Sequence, residues 1–201
     1  MKKIINYYKK SFEILNKNKK LIFLLFILYF LILFIGLAYN WSTYKNPFSS
    51  DDSQTAFNDW WKANMLRNTF QANFFYLFFH NVLASGFRII SGIFFCIIPI
   101  GSIVDDALSN SYTLVSEVIE RGFLSWFCKF IPHSIFEIPA LIISSALGVS
   151  IFFSVLKKKQ RFTNLKNSFK DAFIVFVFII LPLLLIAAVI ESFLIMIFNY
   201  W

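Results

Sequence analysis

The sequence predicts an all-α integral membrane protein: a helical bundle of about five transmembrane helices with interfacial amphipathic helices beside them. Of its 201 residues, 58% are apolar or aromatic and only 15% are charged, whereas soluble domains carry about 25% charged residues. Long apolar runs also alternate with short basic or mixed segments, which is typical of a multi-pass membrane protein. These observations exclude a soluble enzyme, a secreted disulfide scaffold and a disordered tail, and they indicate a single domain over residues 1–201.

The distribution of charge predicts the orientation of the helices. Residues 1–20 carry a net charge of +6 and residues 157–171 one of +5, whereas residues 40–72 are neutral and residues 105–130 carry −2. Because short loops rich in Lys and Arg stay cytoplasmic, we expect the N-terminus inside the cell membrane and the C-terminus outside. The basic segments suit anionic lipid headgroups better than nucleic acid, so the bilayer is an expected partner and nucleic acid is not.

The first three segments are predicted as a surface helix, a crossing and an external loop. In residues 1–20, lysines alternate with apolar side chains at helical spacing, which indicates a basic amphipathic helix on the cytoplasmic surface. Residues 21–39 are 19 uncharged positions. As a helix they span about 28 Å, close to the ~30 Å hydrocarbon core. In the external loop, residues 40–72, the pair Trp60 and Trp61 indicates an interfacial helix.

The stretch 73–104 is too long for one crossing, because a single helix of this length would reach about 48 Å. Successive crossings alternate between the two sides of the membrane, so a single crossing here would place the basic 157–171 loop outside. Two short helices that turn near Arg88 are therefore favoured. Arg88 is then expected to anchor the inner turn by snorkelling. A single crossing stays open as the alternative.

The segment 105–130 is predicted to be an external amphipathic helix that does not cross. Apolar side chains recur at helical spacing along one face of this segment. The alternative, a third crossing over residues 107–128, would place Glu117, Glu120 and Arg121 in lipid.

The last two crossings are predicted over residues 130–156 and 172–198, joined by a cytoplasmic basic loop at 157–171. Two prolines in the first of them form a helix-breaking signature. Pro132 is expected to begin the helix and Pro139 to loosen its first turn.

A short motif carries a resemblance to a known family. Residues 131–149 read IPHSIFEIPALIISSALGV, and this segment resembles the signature of stage II sporulation protein M, a family of small multi-pass membrane proteins. The segment AAVIESF, which contains Glu191, is similar to the family's last helix, and His80 with Asn81 resembles its second helix more loosely. The positions that match the signature are Pro132, His133, Glu137, Pro139 and Ala140.

The resemblance implies a non-enzymatic membrane scaffold. In spore-forming bacteria the family member recruits cell-wall hydrolases during engulfment and degrades nothing itself. The implied partners are therefore cell-wall hydrolases, held through the external segments, and an oligomer is compatible with this role. Two alternatives stay open: a small transporter or channel that uses buried Glu and His side chains as a proton or ion path, and an intramembrane hydrolase.

His133 and Glu137 are four residues apart and share one face of a helix. Such a pair can supply two of the ligands of a metal site, or a histidine base that a carboxylate orients. However, the chain has only two histidines and no HExxH motif, so a zinc site would need a further acid. We prefer structural hydrogen bonding. Because no nucleotide-binding loop and no serine nucleophile motif is present, the sequence predicts no catalytic residue, no metal and no cofactor.

Three ionisable residues are predicted to meet inside the bundle. His80, Glu137 and Glu191 each lie seven residues from an expected outer helix boundary, which corresponds to about 10 Å of helix. Ionisable groups in a membrane face the protein interior and pair with one another. We therefore expect a buried polar cluster of these three side chains, with Asn81 and His133 nearby. A shared proton, a bound cation or a neutral hydrogen-bonded contact would each account for two acids in one apolar site.

Overall fold

The chain folds into an all-α bundle. The computed structural model describes residues 2–44, 69–156 and 161–198 and has no strand in these ranges, so the predicted all-α fold class is confirmed. A π-helical segment (Phe176–Ile180) joins the last two helices. The helices are α1 (Lys2–Lys17), α2 (Lys19–Thr43), α3 (Phe70–Ser91), α4 (Ile97–Arg121), α5 (Phe123–Leu156), α6 (Arg161–Val175) and α7 (Leu181–Phe198).

Four stretches of the described chain are long and apolar enough to cross a membrane. The last of them combines α6, the π-helical segment and α7 into one continuous helical run, which fits a membrane protein. These stretches are Lys19–Thr43, Phe70–Ser91, Phe123–Leu156 and Phe162–Ile197.

The N-terminal helix packs against α6. Ile14 of α1 is buried in the same apolar cluster as Val175 of α6, and Leu165 packs against this cluster. Lys10 also lies 4.0 Å from Asp171. The predicted N-terminal basic helix is therefore present. The segment 157–171 was expected to be a loop, but its described part is helical, because its apolar side chains recur at helical spacing and pack on α1.

The first predicted crossing, residues 21–39, lies within α2, which extends to Thr43. The interfacial helix predicted within residues 40–72 falls mainly on residues 45–68, which lie outside the described residues.

The stretch 73–104 is divided by a turn, as predicted, but the turn lies beyond Arg88. α3 continues through Arg88 to Ser91, and the chain turns over residues 92–96 before α4 begins. Gly92 lies at this turn, where an added Cβ would overlap the backbone carbonyl of Gly148 on α5. The turn therefore lies where a glycine lets two helices approach closely, about one helical turn after the arginine.

The helix α4 lies alongside α2 and runs in the same direction. Tyr29 and Ile103 belong to one buried cluster near the beginning of both helices, and Tyr44 donates a hydrogen bond of 2.5 Å to Glu120 near their ends. The prediction of one amphipathic helix over 105–130 is therefore wrong in its bounds. Its first part belongs to a longer helix packed lengthwise in the bundle.

A glycine divides the segment that was predicted as one helix. Gly122 has a φ of 89°, in the left-handed region that favours glycine, so α4 ends there and α5 begins at Phe123. The apolar spacing continues on both sides of Gly122, which is why the sequence pattern did not reveal the break.

The prolines predicted as a helix-breaking signature do not break a helix. Pro132 and Pro139 lie inside α5, so this prediction is wrong. Each proline removes one backbone N–H, but neighbouring helices support such positions in membrane proteins. α5 has this support, because side chains such as Ala140, Leu147 and Ile151 are buried among the surrounding helices.

Candidate functional site

Three ionisable side chains on two helices converge inside the bundle. His133 and Glu137 lie one turn apart on α5, and α7 places Glu191 opposite them. One ring nitrogen of His133, one carboxylate oxygen of Glu137 and one of Glu191 lie within 4.8 Å of one another. We call this group the His–Glu–Glu cluster (His133, Glu137 and Glu191).

The imidazole of the cluster is held in a dry environment. His133 is 8% exposed and packs edge-on against the ring of Phe130, with ring centroids 5.6 Å apart. The backbone carbonyl of Lys129 interacts with the His133 ring, but within the described residues Nδ1 has no hydrogen-bond partner of full geometry. The ring is therefore oriented by packing while its hydrogen-bonding capacity stays largely unused.

A polar cavity adjoins the cluster. It has a volume of about 120 Å³ and its wall includes Glu137, which belongs to both features. A polar cavity of this size can hold water. The polar side chains that line it are His80, Asn81, Ser85, Arg88, Asp106 and Glu137.

The cavity contains an ion pair that the sequence analysis missed. Nη2 of Arg88 lies 2.6 Å from a carboxylate oxygen of Asp106, and their side chains are 11% and 25% exposed. Arg88 is therefore not a snorkelling anchor at a turn, and its partner Asp106 comes from the segment that was predicted to be external. A sequence signal was present, because Asn81, Ser85 and Arg88 share one face of α3 at helical spacing.

The two remaining predicted residues do not belong to the cluster but line the adjoining cavity. His80 and Asn81 line the cavity, but His80 is exposed and its ring stacks on Tyr76, with centroids 5.9 Å apart. The structure thus brings His133, Glu137 and Glu191 together and leaves His80 at the outer edge of the cavity.

The carboxylates of the cluster have no ion pair with any residue that the structure describes. Among the described residues, the ion pairs involve other acids, and Arg88 pairs with Asp106 rather than with Glu137 or Glu191. Carboxylate oxygens and an imidazole nitrogen can share a proton or bind a cation.

A second polar feature is the outward face of α4. Asp105, Ser109 and Thr113 follow one another at intervals of four residues, and all three are exposed. The opposite face of α4, including Ile103 and Ala107, is fully buried against the bundle. We call these three side chains the α4 polar face.

The corner between α4 and α5 is closed by a local ionic network. Nζ of Lys129 lies 2.6 Å from a carboxylate oxygen of Glu117, which also accepts a hydrogen bond from Ser125 at 2.9 Å. Arg121 lies 3.7 Å from the same oxygen. Glu117, predicted to be too costly to bury, is therefore compensated by neighbours from both helices.

Comparison with known proteins yields one match. The family model described as stage II sporulation protein M matches residues 21–194, a range that includes the His–Glu–Glu cluster, the cavity and the α4 polar face. No curated protein and no solved structure matches the chain.

Proposed function

The chain belongs to the stage II sporulation protein M family, and from this we propose that it is a non-enzymatic scaffold that spans the cell membrane and assembles partner proteins there. The family match confirms the resemblance carried by residues 131–149. The proposed partners are cell-wall hydrolases, the role that the resemblance implies. The external segments and the α4 polar face are the surfaces we assign to them.

We propose five crossings, with the N-terminus cytoplasmic and the C-terminus external. The five are α2, α3, α4, α5 and the run from α6 to α7. The place of α4 in this set is supported by its parallel packing along α2, which carries a membrane-spanning stretch. The basic segments 1–20 and 157–171 then both lie inside, in agreement with the positive-inside rule.

Cysteine labelling in intact cells tests this topology. In a chain with Cys96 and Cys128 replaced by Ser, a membrane-impermeant thiol reagent should label Ser53→Cys and should not label Gln160→Cys. Labelling of Gln160→Cys from outside, or none of Ser53→Cys, contradicts the proposed topology.

The observation that carries the scaffold proposal is the α4 polar face. The hydroxyl of Tyr29 in α2 accepts a hydrogen bond from Asn110 of α4, so the beginning of this face lies level with the apolar run 21–39. A charged side chain such as Asp105 costs about 2.5–3.5 kcal/mol at the centre of a membrane helix. A partner's membrane helix that offers hydroxyl, amide or cationic groups would remove this cost.

Site-specific photo-crosslinking in living cells tests the scaffold proposal. A photoreactive residue at Ser109 should form an adduct with a cell-wall hydrolase or with that enzyme's membrane anchor. The matched control is Phe34, which is exposed on α2 and should react mainly with lipid. Adducts at Ser109 that contain only lipid, or only a second copy of this chain, contradict the assignment of this face to a partner.

A matched pair of variants adds an independent measurement. Asp105→Leu combined with Thr113→Val should reduce recovery of the hydrolase after purification in mild detergent, whereas Phe34→Ala should leave recovery unchanged. Equal recovery from both variants contradicts a role of the α4 polar face in partner assembly.

A further inference from the structure

The His–Glu–Glu cluster has the donor set of a transition-metal site. Imidazole nitrogen and carboxylate oxygen both bind zinc-type ions, with bond lengths of about 2.0–2.2 Å. Donor atoms around a tetrahedral ion of this kind are separated by roughly 3.4 Å. Because the three donors already lie within 4.8 Å of one another, side-chain movements of about 1 Å close the distances.

Charge balance also favours a divalent cation. Arg88 and Asp106 neutralise each other at 2.6 Å, and the described residues contain no ion pair to Glu137 or Glu191. Two carboxylates close together in an apolar interior repel each other strongly. One divalent ion neutralises both carboxylates, so that their short separation is favourable rather than repulsive.

The imidazole is an independent indication of a ligand. His133 is 8% exposed and contributes a ring nitrogen to the cluster, and its Nδ1 makes no hydrogen bond of full geometry within the described residues. A buried polar group without a partner costs about 1–3 kcal/mol. Contact of the ring with Phe130 and with the Lys129 carbonyl is the kind of support that orients a ligating histidine.

Water can also fill a coordination position of the ion that the three side chains leave open. The polar cavity of about 120 Å³ is lined in part by Glu137, so water can reach the side of the cluster that the protein leaves open. A site with three protein ligands and one water is typical of zinc.

We propose that His133, Glu137 and Glu191 bind one divalent transition-metal ion, with Zn²⁺ preferred, and that this ion joins α5 to α7 inside the bundle. An imidazole ligand favours Zn²⁺ over Mg²⁺ and Ca²⁺, which prefer all-oxygen sites. The proposal does not depend on the scaffold role, since it concerns the packing of two helices of this chain.

Metal content and affinity of the full chain test the proposal. The chain is purified in mild detergent with a tag that does not bind metal, and zinc is then measured by elemental analysis and by titration with Zn²⁺ alone. We expect about one zinc per chain, and a loss of affinity of at least about tenfold in His133→Asn and in Glu191→Gln. Glu191→Gln is isosteric and His133→Asn keeps a smaller polar side chain, and monodispersity on gel filtration confirms that both variants are folded.

The matched control is the second histidine. His80→Asn changes a residue at the edge of the cavity and should keep the zinc content and affinity of the unchanged chain. X-ray absorption of the zinc-loaded chain should show nitrogen and oxygen neighbours and no sulfur. The proposal is overturned if the unchanged chain holds no more zinc than the chain with both Glu137→Gln and Glu191→Gln. Equal losses in His80→Asn and His133→Asn also overturn it.

Discussion

Two helix interfaces in this bundle contain polar side chains, and they are built in different ways. Along most of the α2–α4 interface the polar groups are neutral and satisfied: Asn110 donates to the Tyr29 hydroxyl at 2.7 Å, and Asn40 donates to Ser111 at 2.9 Å. At its end a carboxylate takes part, where Glu120 accepts from Tyr44. Between α3, α4, α5 and α7 the groups are charged: Arg88 of α3 pairs with Asp106 of α4, whereas the His–Glu–Glu cluster makes no ion pair within the described residues. Neutral hydrogen bonds are sufficient to hold membrane helices together, and it is the charged interface to which we assign the proposed metal ion.

A small residue also lets the helices α2 and α4 pack closely against each other. A Cβ added to Gly36 would overlap the side chain of Ser111 on α4. The two backbones therefore approach closely, as glycine permits in membrane helices. Stability at this interface comes from packing and hydrogen bonds, whereas stability at the other depends on compensating charge.

The largest effect is expected from breaking the ion pair of the charged interface. Arg88→Leu should lower the free energy of unfolding by about 3–5 kcal/mol, because it leaves the Asp106 carboxylate buried without its partner. Arg88→Leu combined with Asp106→Leu should recover most of this loss. Unfolding in detergent micelles measures both; an equal loss in the single and double variants would show that the pair is not the cause.

Metal removal should have the next largest effect. If zinc is bound at 100 times its dissociation constant, a chelator should lower the free energy of unfolding by about 2.7 kcal/mol. The chain with Glu137→Gln and Glu191→Gln should not respond to the chelator, because it lacks two of the three ligands. Thermal unfolding with and without chelator measures this difference, and an equal response of both chains contradicts it.

A smaller effect is expected where α3 approaches α5. Gly148→Ala should lower the free energy of unfolding by about 1–3 kcal/mol, because the added Cβ would overlap the backbone carbonyl of Arg88. Gly86→Ala is the control, since an added Cβ there meets no atom within 4 Å. Thermal unfolding of both variants tests the close approach, which is excluded if they behave alike.

The smallest effect is expected at the neutral interface. Tyr29→Phe should lower the free energy of unfolding by about 0.6 kcal/mol, the average for a hydrogen bond between membrane helices, because Asn110 loses its acceptor. Tyr39→Phe on the same helix is the control, since Tyr39 is exposed and should be silent. An effect of Tyr29→Phe as large as that of Arg88→Leu would remove the distinction between the two interfaces.

Part of the site was predictable from the sequence because depth along a helix depends on residue number alone. Glu137 and Glu191 were placed at one depth by counting from expected membrane boundaries at residues 130 and 198. The structure places their carboxylates in one cluster, although α5 itself begins earlier, at Phe123. The same counting included His80, which lies at the cavity edge instead. Depth does not specify which face of a helix turns inward, and that choice depends on the neighbouring helices.

The sequence by itself determined the all-α membrane class, the family and the polar residues that an apolar environment must accommodate. Hydropathy and charge decide these properties, since transfer from water to lipid is an attribute of each segment. The tertiary structure alone decided that Arg88 pairs with Asp106, that α5 continues through Pro132 and Pro139, and that α4 packs along α2. The free-energy cost of a buried charge or of a missing backbone hydrogen bond depends on the partner that a neighbouring helix supplies. The sequence of one segment does not specify that partner.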